Sequence, residues 1–154
     1  MAGRVACAAL GVALLLPSGS ALASAPFHPT QVEIDRAVQA ADEFWRHDPQ
    51  ERCLGKNRGE LDTNFPDEHT DAAGYTDPGH CGTIHIQTRR ARAYSRWQFC
   101  TLVVHEYGHT IGYEHVDDPS DIMYYKPVTA GLHPKVCDYP APTRWPAAQP
   151  WSAR

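Results

Sequence analysis

Basic residues are in the minority in this chain. Fourteen Lys and Arg stand against 18 Asp and Glu over 154 residues, a formal net charge of −4. That balance supplies neither the basic stripe of a nucleic-acid-binding domain nor a polybasic cluster for an anionic membrane surface. Long apolar runs are also missing. The one continuous hydrophobic stretch, residues 5–16, is too short to cross a bilayer comfortably. No two cysteines stand at C-x-x-C spacing, which argues against a cysteine-rich zinc site. Internal repeats are absent. The length leaves room for one compact domain, and 13 Pro with 11 Gly give it many turns.

The apolar stretch has a different use. Met1 to Arg4 form a short positive region ahead of it, and Pro17 to Ser20 break it. Ala21-Leu22-Ala23 then offers a small-x-small cleavage site, the layout of a secretory signal peptide. The division expected is a signal at 1–23, a folded domain at 24–138 and a Pro/Trp-rich tail at 139–154. The mature protein is expected outside the cell, soluble, free of the membrane and monomeric. Cleavage removes Cys7 and leaves Cys53, Cys81, Cys100 and Cys137. An even count in an exported domain reads as two disulfides, with all three pairings open.

Along the mature chain, Pro29 to Trp45 reads as an amphipathic helix. Thr30 and Glu33 make a capping box, and Val32, Ile34, Ala37, Val38, Ala41 and Phe44 or Trp45 recur at helical spacing. The polar stretch His47 to Gly82 predicts loops, with short strands around Cys53-Leu54 and Gly59-Leu61. Gly82 to Thr88 alternates as a strand does, with Ile84 and Ile86 on one face. Arg89 to Ala93 reads as a basic connection. A second helix is expected from Ser95 or Arg96 to about Ile111, with Cys100, Val103, Val104, Tyr107 and Ile111 as its apolar stripe.

The segment from His105 to His115 carries the chemistry. His105 and His109 are four apart, so on a helix their rings share a face and reach one ion. His115 would lie roughly 15 Å along the axis if the helix continued. It joins them only if the chain stops and folds back, and Gly112 is placed for that turn. Three neutral imidazoles leave the charge on zinc and one position for water, whose pKa falls to around 7. Glu106 follows the first ligand off the two-histidine axis, where its side chain can take the water's proton.

These eleven residues resemble the extended motif of the metzincin metallopeptidases. Ser120 to Tyr125 carries Met123 eight residues beyond His115, a spacing similar to the matrixin branch. The resemblance covers Val103 to Tyr125 closely and the rest only in the order of elements. It implies an α+β domain: a twisted mixed sheet of five strands packed on two main helices, with the zinc site under an edge strand. It also implies an extended polypeptide substrate along that edge, for which Gly82 to Thr88 is the candidate. Three features depart from the matrixin pattern. No propeptide fits between Ala23 and the first helix, the strand expected before that helix is short or missing, and Tyr125 stands where Pro is usual. In the astacin-like branch a Tyr at this offset binds zinc or steadies the transition state, and the alternative for Tyr125 is a packed side chain beneath the site. Met123 reads as an apolar floor, its sulfur being a poor partner for zinc beside three imidazoles.

The function expected is therefore that of a secreted zinc-dependent endopeptidase. The alternatives are a zinc-binding interaction module without turnover and a disulfide-stabilised structural protein. Asp62, Asp67, Glu68, Asp71 and Asp77 read better as a solvated surface than as a calcium loop. His69, His80 and His85 are too scattered to argue strongly for a second zinc.

Overall fold

The computed structural model describes residues 27–65 and 72–139. The signal segment, the tail from residue 140, and Asp67, Glu68, His69 and Asp71 lie outside the described residues. No helix among the described residues is long and apolar enough to cross a membrane.

Helix α1 spans Gln31–Trp45. The Glu33 carboxylate accepts the Thr30 N–H at 3.0 Å, closing its first turn, and also meets Arg96 at 3.2 Å. Ile34, Ala37, Val38, Ala41 and Trp45 are buried, whereas Val32 and Phe44 are exposed. Val32 stands about 200° around the helix from Ile34, at 100° per residue, and so points away from the core. Of the two aromatics at the end of the helix, Trp45 is the core residue, and its indole N–H donates to the Val104 carbonyl at 2.9 Å.

Three strands make the sheet among the described residues: β1 (Arg58–Asp62), β2 (Gly74–Tyr75) and β3 (Thr83–Gln87), in the order β1-β3-β2. β1 runs parallel to β3 with Gly59 opposite Ile84, and β2 runs antiparallel with Gly74 opposite Ile86. This corrects the expectation for Gly82 to Thr88. Among the described residues that strand is central, and β1 and β2 are the edges. Alternation reports which face of a strand is buried and is silent on whether both of its backbone edges are paired. Cys53-Leu54 is likewise no strand. The Lys56 N–H closes a turn on the Cys53 carbonyl at 2.8 Å, with Gly55 at φ +66° and Leu54 exposed.

Ile84 and Ile86 put β3's buried face into the core. A Cβ on Gly59 would run into Ile34, so this glycine lets α1 lie directly on β1. A short helix, α2 (Thr88–Ala91), follows β3 where a basic connection was expected. Helix α3 (Arg96–Thr110) is capped by Ser95, whose side chain accepts the Gln98 N–H. It is buried on nearly every side, since Thr101, Leu102, His105, Glu106 and Thr110 are enclosed along with the expected stripe. A helix buried all round belongs to the centre of a domain, and α3 lies between α1, the sheet and a 3-10 turn at Lys135–Cys137.

Two disulfides staple this arrangement. Cys53 pairs with Cys81 and Cys100 with Cys137, with Cα separations of 5.2 and 5.7 Å. The first joins the loop before β1 to the loop before β3. The second ties the first turns of α3 to the 3-10 turn.

Candidate metal centre

Helix α3 ends where the sequence places a glycine. Ile111 leaves the helical region, and Gly112 follows at φ +102°, a conformation that glycine takes without steric cost. The Tyr113 N–H returns to the Gly108 carbonyl at 3.0 Å and the Gly112 N–H to the His109 carbonyl at 3.0 Å. This pair of bonds is the Schellman motif, which turns the chain sharply back. The reversal carries His115 to the two histidines of the helix. Its Nε2 lies 3.2 Å from Nε2 of His105 and 3.2 Å from Nε2 of His109.

His105 and His109 bring no proton to these contacts. His105 Nδ1 is 2.7 Å from the Ile122 carbonyl and His109 Nδ1 is 2.7 Å from the Tyr113 carbonyl. A carbonyl only accepts, so each Nδ1 carries the ring proton and each Nε2 presents a lone pair. Charging the rings is disfavoured. Burial holds the His105 imidazolium down to about 4, and burial lowers His109 too. Two such lone pairs facing a third imidazole nitrogen make the donor set of a cation. Two nitrogens bound tetrahedrally at 2.0–2.1 Å stand about 3.3–3.4 Å apart, close to the 3.2 Å separations here. The residues present fit a zinc ion. Among the described residues no other group of three or more His, Cys, Asp or Glu side chains converges in this way.

A model of the matrixin peptidase family matches residues 18–133. The chain belongs to the matrixins. Membership places it among zinc-dependent metallopeptidases and agrees with the α+β fold described above. No curated protein and no solved structure matches the chain.

The remaining parts of this matrixin's site come from α3, β2 and the segment around Met123. Glu106 follows His105 on α3 and is buried, and burial pushes its carboxyl up to about 8. It faces β2 at Gly74, where an added Cβ would sit 2.7 Å from Oε1 and 2.8 Å from Cγ. Met123 is buried against Gly108, and a Cβ there would collide with its sulfur and with the Trp45 ring. The turn that carries Met123 also supplies the Ile122 carbonyl that orients His105. It is anchored by Val116 N–H to the Met123 carbonyl at 3.1 Å and by Met123 N–H to Asp121 at 2.7 Å. Tyr125 is about half exposed and lines the same cleft, with Lys126 Nζ 5.0 Å from its ring centre. The cleft is about 640 Å³ and holds His105, Glu106, His109 and His115.

Four contributors had no clear signal in the sequence. The carbonyls of Ile122 and Tyr113 can come from any residue type, so only geometry reveals them. Gly74 and Gly108 are single glycines whose closeness to Glu106 and Met123 depends on tertiary packing. The other residues weighed for metals stand apart. His80 Nδ1 lies 3.0 Å from the Pro78 carbonyl, and His85 Nδ1 is 2.9 Å from Glu60 and 3.7 Å from Asp62.

Proposed function

We propose that this matrixin is an exported zinc-dependent endopeptidase that cuts extended polypeptide, with His105, His109 and His115 holding the ion and Glu106 serving as the base. The observation that carries the reading is the convergence of three imidazole nitrogens beside a buried carboxyl group in one open cleft. Export is supported by the leader-like residues 1–23 and by two disulfides, which persist in oxidising compartments.

Bound zinc supplies a Lewis acid that polarises the scissile carbonyl and acidifies water. The chain's own residues do the rest. The Ile122 and Tyr113 carbonyls lock the tautomers of His105 and His109 and fix their rings, as outer partners do in metal sites. Met123 floors the site with an apolar surface. Glu106, an acid kept neutral by burial alone, ionises more readily once positive charge stands beside it. It then takes a proton from the attacking water and returns one to the leaving nitrogen. Edge strand β2 borders the cleft and offers backbone groups to an extended substrate.

Chelation tests the reading. Protein stripped of metal should neither cut a mixed peptide library nor keep its original melting temperature, and one equivalent of zinc should restore both. Undiminished cutting by metal-free protein would overturn the proposal. Zinc uptake without any cutting would turn it to the interaction-module reading.

Gly74 offers a gentler perturbation. In Gly74→Ala the new methyl group presses on the Glu106 carboxylate, and kcat should fall about ten- to a hundredfold, as displacement of a positioned group does. Zinc content should not change. Equal kcat in the two proteins would mean that the gap at Gly74 does not position Glu106.

A further inference from the structure

One guanidinium in the cleft has a nitrogen without an acceptor among the described residues. Arg90, in α2, lines the same cavity as the three histidines and Glu106. Its Nε is buried and has no hydrogen-bond partner among the described residues. Other arginines are engaged: Arg96 with Glu33, Arg46 with Glu43, Arg52 with the Gly79 carbonyl and Arg58 with Thr83. Glu106 is not the missing partner, since it makes no hydrogen bond to that nitrogen. A guanidinium nitrogen withdrawn from water without an acceptor carries a penalty, which an incoming acceptor would remove.

The topology says where along the cleft this cation stands. β3 ends at Gln87, whose N–H donates to the Ala73 carbonyl at 2.9 Å, and α2 begins at the next residue. Arg90 is therefore at the Ala72–Ala73 end of β2. The opposite end, at Pro78, is tied to α3 by the Gly79 N–H on the His109 carbonyl at 2.8 Å. Tyr94, Leu102 and Val128 line the same cleft as Arg90. Tyr94 is itself half-buried and feels the arginine's charge, which offsets part of the rise that burial imposes on its phenol. An apolar wall raises the value of a charge-assisted hydrogen bond formed inside it.

We propose that Arg90 determines specificity, pairing with the carboxylate of an Asp or Glu side chain placed within a few residues of the scissile bond. The inference rests on the endopeptidase reading for the bond that is cut, but not for the pairing itself. The guanidinium fork matches a carboxylate through two parallel N–H donors, a geometry that neither Gln nor Asn in the substrate reproduces.

The test uses the full mature chain with zinc bound and two variants, Arg90→Gln and Arg90→Glu. Cleavage profiling on a mixed peptide library should show Asp or Glu enriched at one position near the cut. Against a matched pair of peptides differing only as Glu or Gln there, Arg90→Gln should lose at least tenfold in kcat/KM on the Glu peptide. It should change less than twofold on the Gln peptide. Arg90→Glu should shift preference toward Lys. Equal losses on both peptides, or a wild-type profile without acidic enrichment, would overturn the proposal. Binding separates this outcome from failure of the peptidase reading. Ala-based hexapeptides with Glu at each position in turn, and their Gln twins, are titrated against the Glu106→Ala protein with and without Arg90→Gln. A Glu preference that vanishes with Arg90 sustains the inference even if nothing is cut, and its absence sinks the inference even if cutting is vigorous.

Discussion

Glu106→Gln should lower kcat by about 10²–10⁴, the usual contribution of a positioned general base, and leave zinc content near that of the wild type. The amide keeps the shape of the side chain between α3 and Gly74 but cannot take the proton. Glu106→Ala should show the same loss, with a small cavity in addition. Stability gives a second and opposite readout. Burial opposes ionisation of Glu106, and no described partner compensates it. A neutral amide of equal size should hold or raise the melting temperature of the metal-free protein. Metal analysis, steady-state kinetics and thermal denaturation on one preparation separate the three effects. Undiminished cutting by either variant would remove Glu106 as the base.

The largest effect on stability should come from the disulfides. The bridged cysteines are 28 and 37 residues apart, and loop-closure entropy assigns such bridges about 3–4 kcal/mol each. For a domain of this size, loss of one should lower the melting temperature by on the order of 10–20 °C. The double variant Cys100→Ala/Cys137→Ala frees the 3-10 turn from α3, and Cys53→Ala/Cys81→Ala frees the loops flanking β1 and β3. The bridges should also differ in reactivity. Cys100 and Cys137 are both buried, whereas Cys81 is partly exposed, so a mild reductant should open Cys53–Cys81 first. Thiol counting alongside thermal denaturation checks both statements. An unchanged melting temperature with all four thiols confirmed free would refute the stabilising role.

How far these features could be read from sequence depends on the range of the interaction. Helices α1 and α3 were legible because capping and periodicity act within four residues. The backward turn at Gly112 was legible for the same reason, as a helix stop between His109 and His115. β2 was not, because Gly74-Tyr75 is too short to show alternation and becomes a strand only by pairing with β3. The central position of β3 depends on neighbours 25 residues before it and about ten residues before it in the chain. Tertiary proximity likewise decides the disulfide pairing, since four cysteines permit three connectivities. Phe44 and Trp45 are adjacent, and which one enters the core was settled by where the Val104 carbonyl lies. Arg90 had no local signal either. Its buried, unpartnered Nε shows only once α2 is packed against the rest of the domain.

The three nitrogens that converge at the cleft sit at different depths. His105 is enclosed in α3, His109 is half-buried, and His115 is exposed on a segment without regular structure. Detaching His105 or His109 requires disturbing a central helix, whereas His115 can swing away with its loop. Exchange of a bound ion should therefore begin at His115, and its residence time should follow the opening rate of the 113–118 segment rather than global unfolding. Stiffening that segment should slow both loss to competing ligands and acquisition from solution, leaving the equilibrium affinity comparatively little altered.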